Sequence, residues 1–144
     1  MDIKNILVVC VGNICRSPMA EYLLKQQHPN ISIESAGISG MVGHAADAKA
    51  QLCMQRLNID MSPHIAQKLN AEHLKKADLV LVMSNNQQKH IEQTWPFAKG
   101  KVFRIGHWQS QNVPDPYKHD QAFFDETCIN IQSYVSDWQS HLKI

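Results

Sequence analysis

The sequence predicts an α/β fold, a three-layer sandwich in which a four-stranded parallel sheet is flanked by helices on both faces. Three observations carry that expectation. Ile6-Leu7-Val8-Val9 and Leu79-Val80-Leu81-Val82-Met83 are unbroken apolar runs, the pattern of strands buried on both faces of a parallel sheet. Helical segments alternate with the strand candidates, as in βαβ units. The first run ends at Cys10 and passes through a short loop into a helix start, and the carboxyl ends of parallel strands are where such sheets bind ligands.

The elements follow in chain order. After the strand at Ile6 to Val9, Ser17 and Pro18 read as N-cap and first helical residue of a helix reaching Gln27, with Met19, Leu23 and Leu24 as its core contacts. Ile31-Ser32-Ile33-Glu34 alternates as a short second strand. Helices are predicted at Asp47 to Leu57 and Ala71 to Lys76, followed by the third strand at Leu79 to Met83. Ser84 is placed to cap a helix over Asn86 to Gln93, and Lys101 to Ile105 supplies the fourth strand. Phe124, Cys128, Ile131, Val135, Trp138 and Leu142 recur at helical spacing, so the C-terminal segment lays an apolar stripe on the core.

Composition narrows the function classes. The chain of 144 residues is 44% hydrophobic and 19% charged, enough for one well-buried core, so a single domain over 1–144 is expected. A net charge of +1 with scattered Lys and Arg offers no nucleic-acid face and no polybasic membrane patch. The N-terminal apolar run, Ile6 to Val11, is too short for a signal-peptide core or for membrane insertion, which points to a cytoplasmic protein. Four cysteines in such a chain are expected to be reduced thiols rather than a disulfide framework.

The loop after strand one carries the chemistry. Val11-Gly12-Asn13-Ile14-Cys15 leads from Cys10 to Arg16 and Ser17. Backbone amides of a tight loop, together with a helix N-terminus, make a cradle of positive partial charge suited to a tetrahedral oxyanion. Such a field also favours the thiolate form of a cysteine at its centre. Arg16 adds a planar fork able to hold two phosphate oxygens. One nucleophile, one anion nest and one permanent cation together equip a phosphate-binding loop for phosphoryl transfer through a phosphocysteine. No Gly-Lys-Ser/Thr follows the loop, so a Walker-type nucleotide site is excluded.

A displaced phenolic oxygen needs a proton as it leaves. Asp115, in Val113-Pro114-Asp115-Pro116-Tyr117, stands between two prolines whose fixed φ angles hold its carboxyl in one orientation. Alone it would read as a turn aspartate; with Cys10 and Arg16 it completes a nucleophile and acid pair. Tyr117 is placed to line a slot for a flat ring. Cys15, on the same curled loop as Cys10, is a candidate resolving thiol that condenses with an oxidised Cys10. Left-handed-prone Asn13 calls for side-chain partners to brace the loop. The histidines show no metal-ligand spacing.

These segments resemble the low-molecular-weight protein tyrosine phosphatases over nearly the whole chain, and most of all their bacterial Wzb-type branch linked to capsule and exopolysaccharide production. The resemblance rests on VCVGNICRSPMAE (9–21), SAGI (35–38), DMSPHIAQKL (60–69), ADLVLVM (77–83), GKVFRIGHW (100–108) and PDPY (114–117). It implies a catalytic Cys10, a phosphate-binding Arg16 and an acid Asp115, with Ser17 hydrogen-bonded to the sulfur. It also implies that Asn13, Ser35 and His64 brace the loop, and that neither metal nor cofactor is used. The implied partners are phosphotyrosine proteins, in particular a tyrosine autokinase with a tyrosine-rich tail encoded beside polysaccharide export genes, and inorganic phosphate as product and inhibitor.

Two departures stand out. Family members often carry an acidic residue after the third-strand methionine, where this chain has Ser84. The loop ISGMVG (38–43) offers Gly40 and Met41 as cleft wall where eukaryotic relatives have a bulky aromatic, which implies a wider, softer cleft. Three rival functions are disfavoured. Arsenate reductases of the same fold need further cysteines after the third strand, where this chain has SNNQQKHIEQTW (84–95). A phosphocysteine sugar-transport carrier has no use for Asp115. A catalytically idle phosphopeptide-binding module would lack Cys10 or Asp115.

Overall fold

The computed structural model describes residues 2–142; residue 1 and residues 143–144, the ends of the expected domain, lie outside the described residues. Strands β1 (Asn5–Cys10), β2 (Ser32–Gly37), β3 (Leu79–Val82) and β4 (Val102–Arg104) form one parallel sheet in the order β2-β1-β3-β4. The helices are α1 (Arg16–Gln27), α2 (Ala48–Gln55), α3 (Ala71–Lys76), α4 (Asn85–Thr94) and α5 (Gln121–His141).

β1 is central, pairing with β2 from Asn5↔Ser32 to Cys10↔Gly37 and with β3 from Ile6↔Leu79 to Val8↔Leu81. Its side chains alternate between two cores, as the pleat requires. Ile6, Val8 and Cys10 pack with Met19 of α1, Ala50 of α2, and Phe124 and Trp138 of α5. Leu7 and Val9 pack with Leu74 of α3 and Ile91 of α4. That burial on both faces is why β1 and β3 read as continuous apolar runs, and it makes the expected three-layer sandwich. The α5 stripe from Phe124 to Trp138 is buried as its spacing predicts, and Trp138 Nε1 donates to the Ile105 carbonyl (2.8 Å), fastening α5 beyond β4.

Several boundaries differ from the sequence reading. α1 begins at Arg16 with Cys15 in the cap position and no side-chain cap, so Ser17 and Pro18 are not its N-cap and first residue. Ser17 is buried within the first turn, and its hydroxyl is used elsewhere. β2 runs on to Gly37, beyond the predicted end at Glu34. Glycine is required at 37 because a Cβ there would stand 2.5 Å from the Val11 carbonyl oxygen of the crossing loop. α2 is shorter than predicted, starting after Asp47, whose carboxylate caps it through Lys49 N–H (2.8 Å). Ser84 does cap α4, accepting from Gln87 N–H (3.2 Å).

Candidate active site

β1 delivers Cys10 to the carboxyl end of the sheet, and the chain then curls through residues 11–15 into α1. The carbonyls of this loop are all taken from outside it. Ile38 N–H donates to Cys10 O (2.9 Å), Ser39 and Gly40 N–H to Val11 O (3.1 Å each), and Met41 N–H to Gly12 O (2.8 Å). Asp47 N–H donates to Ile14 O (2.9 Å) and Met19 N–H to Cys15 O (3.2 Å). His64 Nε2 lies 2.7 Å from Asn13 O, and since a carbonyl only accepts, that nitrogen carries the proton. In planar trans peptides, carbonyls turned outward turn the following N–H groups inward. The loop therefore presents its amide edge to its own concavity, with the sulfur there: Asn13 N–H points at Cys10 Sγ (3.3 Å).

A directed chain of hydrogen bonds supports the curl. Asn13 is left-handed (φ 62°) and fully buried. Its Oδ1 accepts from Gln67 N–H (3.0 Å), which fixes the amide orientation, so Nδ2 donates to both Ser17 Oγ (2.8 Å) and Ser35 Oγ (2.9 Å). The Ser35 hydroxyl hydrogen then goes to the Glu21 carboxylate. The Ser17 oxygen already accepts from Asn13, so its hydrogen is directed to Cys10 Sγ at 2.9 Å. This is what Ser17 does in place of capping the helix.

Arg16, buried at the floor, donates Nη1–H to the Val113 carbonyl (2.8 Å) and sets Nη2 3.6 Å from Asp115 Oδ2. Its buried Nε has no acceptor among the described residues, leaving a donor for an oxyanion. Asp115 Oδ1 accepts from Tyr117 N–H (3.1 Å), an Asx turn that steadies the carboxyl between its prolines. Cys10, Val11, Gly12, Ile14, Cys15 and Arg16 line a cavity of about 150 Å³ with Ser39, Met41, Asp115 and Tyr117. Met41 lies across the loop, its Cγ 3.4 Å from where a Cβ on Gly12 would stand. Gly40 instead makes the turn before it, at φ 70° against Lys68.

Cys15 is buried at the start of α1 as a free thiol. Burial pushes its pKa well above the ordinary thiol range, and the charge of Asp47 adds to that. His64 faces the Glu21 carboxylate through Nδ1 at 4.0 Å.

Glu21, Gln67 and Ser39 escaped the sequence reading. One signal for Glu21 was available: it stands four residues after Ser17 on the face of α1 that carries Ala20 and Leu24 inward, and a carboxylate on a buried face needs partners. Gln67 and Ser39 carry no such mark, because their partners come from segments remote in sequence. Among the described residues, no helix is long and apolar enough to cross a membrane.

Residues 5–144 match the family model described as low molecular weight phosphotyrosine protein phosphatase. The low molecular weight protein-tyrosine-phosphatase Ptp of Acinetobacter johnsonii is 75% identical over 142 residues, covering 99% of this chain and 100% of its own. The crystal structure of the tyrosine phosphatase AmsI of Erwinia amylovora superposes with a TM-score of 0.96 at 35% identity, covering 99% of this chain and 95% of that one. The tyrosine phosphatase Wzb of Escherichia coli K30, solved in complex with sulphate, gives a TM-score of 0.95 at 34% identity over 98% and 99% of the two chains. Matches of this length and likeness extend well beyond the loop motif, and by them the chain belongs to the low-molecular-weight protein-tyrosine-phosphatase family and is a phosphotyrosine hydrolase.

Proposed function

We propose that the chain hydrolyses phosphotyrosine in two steps through a phosphocysteine at Cys10. The observation that supports this reading best is the inward-turned amide cradle with the sulfur inside it and Asp115 on the same cavity. In the first step the Cys10 thiolate gives its electron pair to phosphorus and the bond from phosphorus to the tyrosyl oxygen breaks. The loop amides and the Arg16 fork hold the equatorial oxygens as charge redistributes. Asp115 passes its proton to the departing phenolate. In the second step Asp115, now a carboxylate, takes a proton from water as that water attacks phosphorus. The phosphorus–sulfur bond breaks, inorganic phosphate leaves and the thiolate returns, its charge eased by the Ser17 hydroxyl.

The substrate we infer is the tyrosine-rich tail of a bacterial tyrosine autokinase that controls capsule or exopolysaccharide production, met in the cytoplasm. Its support is the likeness to the Wzb-type branch, together with a cavity walled by Met41 and Tyr117 that suits a flat ring. Rapid acid quench during turnover of 4-nitrophenyl phosphate is expected to trap phosphate on Cys10, and turnover is expected to continue in EDTA. Activity in Cys10→Ser, or loss of activity to the chelator, overturns the mechanism. Asp115→Asn should lose more rate on phosphotyrosine than on the nitrophenyl ester, within the ~10²–10⁴-fold range of general acid catalysis. Equal single-turnover losses on both make Asp115 structural. For the substrate, Cys10→Ser should capture the phosphorylated autokinase tail and release it to inorganic phosphate.

A further inference from the structure

The segment carrying Asp115 is anchored at both ends. At its N-terminal end Val113 N–H donates to the Met83 carbonyl (2.8 Å), and the Val113 carbonyl accepts from Arg16 Nη1 (2.8 Å). At the other end a second basic side chain provides a tie. Lys49 Nζ, from the first turn of α2, donates to the His119 carbonyl at 2.6 Å. The residue just before that carbonyl, Lys118, is held in the left-handed region at φ 68°, a conformation a non-glycine residue keeps only where its surroundings fix it.

Lys49 is itself held in place. Its N–H is capped by Asp47 Oδ1 (2.8 Å), its carbonyl accepts from Gln121 Nε2 (3.0 Å), and its ammonium lies 5.8 Å from the centroid of the Phe124 ring. Two residues earlier, Asp47 N–H holds the nucleophile loop through Ile14 O (2.9 Å). The start of α2 is thus bonded to both loops of the site, one through Asp47 and the other through Lys49.

We infer that Lys49 is a positioning residue for the general acid: its bond to the His119 carbonyl sets the acid loop against the nucleophile loop. The inference rests on Asp115 being the proton donor. A displaced acid loop leaves the cradle, and so the attack on phosphorus, intact, but lengthens the path of the proton to the leaving oxygen. The penalty must therefore grow with the basicity of the leaving group, because only basic phenolates need the proton. A residue that merely stabilised the fold would lower all rates together.

The test is kcat/KM for an ester series running from 2,4-dinitrophenyl through 4-nitrophenyl to phenyl phosphate and phosphotyrosine. Lys49→Met is expected to lose roughly 10-fold on phosphotyrosine and less than about 2-fold on the dinitrophenyl ester, since small misplacements can cost up to ~10²-fold. Its inhibition constant for inorganic phosphate should match that of the wild type, and Lys49→Arg should restore the shallow dependence on leaving group. A uniform loss across the series, or no loss, overturns the inference. Lys49→Gln is measured alongside under the same criterion, so that an unfolded Met variant does not remove the test. Asp115→Asn separates the two readings. If it steepens the dependence and the Lys49 variants do not, Lys49 has no positioning role. If Asp115→Asn itself fails to steepen it, the acid assignment falls and this inference with it.

Discussion

Asn13 bonds five neighbours from one left-handed position: Cys10 through its main-chain N–H, Ser17 and Ser35 through its amide nitrogen, Gln67 through its amide oxygen and His64 through its carbonyl. An aspartate there could not donate, so the proton order that ends on the Cys10 sulfur needs an amide. Cys10, Arg16 and Asp115, which line one cavity, could be singled out in the sequence because their signals are local: a strand end, a spacing and a pair of prolines. Ser17 was legible as a residue, although the cap expected from its position lost to the sulfur. Glu21 and Gln67 act through tertiary approach and left little trace. Burial raises the Cys15 and Cys128 thiols and pushes Cys53 up to about 12, where its S–H also donates to Asp125. Iodoacetate near neutral pH is accordingly expected to label Cys10 alone, with inorganic phosphate protecting; early labelling of Cys53 or Cys128 would contradict that ordering. Peroxide should convert Cys10 to a sulfenic acid, and condensation with Cys15 should then release water and form a disulfide, a step slowed near neutral pH, because burial holds the Cys15 thiol protonated, and quickened in alkali. Dithiothreitol should restore activity, and mass spectrometry should find the Cys10–Cys15 bridge. If Cys15→Ser recovers as fully as wild type, Cys15 protects nothing.

At the level of elements, the strands with apolar runs were legible throughout, and β2 only in its first half, through Glu34. Its second half, Ser35-Ala36-Gly37, has the composition of a turn: Ser35 bonds Asn13 and Glu21, and Gly37 has no room for a Cβ against the loop after β1. The capped starts of α2 and α4 were marked by Asp47 and Ser84, whereas α1 opens without a side-chain cap, two residues before the expected start at Pro18. The entry to β1 offers a measurable case. Asp78 accepts main-chain N–H bonds from Lys4 and Asn5, both at 2.9 Å, and these bonds hold its carboxyl below the ordinary range. A folded pKa depressed below the unfolded value of ~3.9 means stabilisation fully present above that value and lost as pH falls through the folded one. Asp78→Ala should therefore lose on the order of 1 kcal/mol near neutral pH, read from urea midpoints. The gap to wild type should narrow as pH drops below ~4. An undiminished gap in acid would show that the loss comes from something other than the ionised carboxylate.

Across the whole molecule, the active site and the fold draw on the same residues. The nucleophile loop is bonded to the chain after β2, to α2, to His64 and, through Arg16, to the acid loop, so occupying its cradle must bear on global stability. A ligand that binds only the folded state stabilises it by RT ln(1 + [L]/Kd), ~2.7 kcal/mol at 100 times Kd. Inorganic phosphate is expected to raise the unfolding midpoint in proportion to the logarithm of its concentration once above Kd. Phosphate also strengthens burial in any protein by exclusion from its surface, so the rise by itself proves little. Arg16→Lys separates the two effects, because it keeps the charge and gives up the planar fork that holds two oxygens. Surface exclusion acts equally on both proteins, whereas the bound fraction does not. The wild type should gain more from phosphate than Arg16→Lys does, and equal ionic strength of chloride should not reproduce the difference. If both proteins shift alike, the stabilisation is a bulk-salt effect and the cradle is not coupled to folding through Arg16.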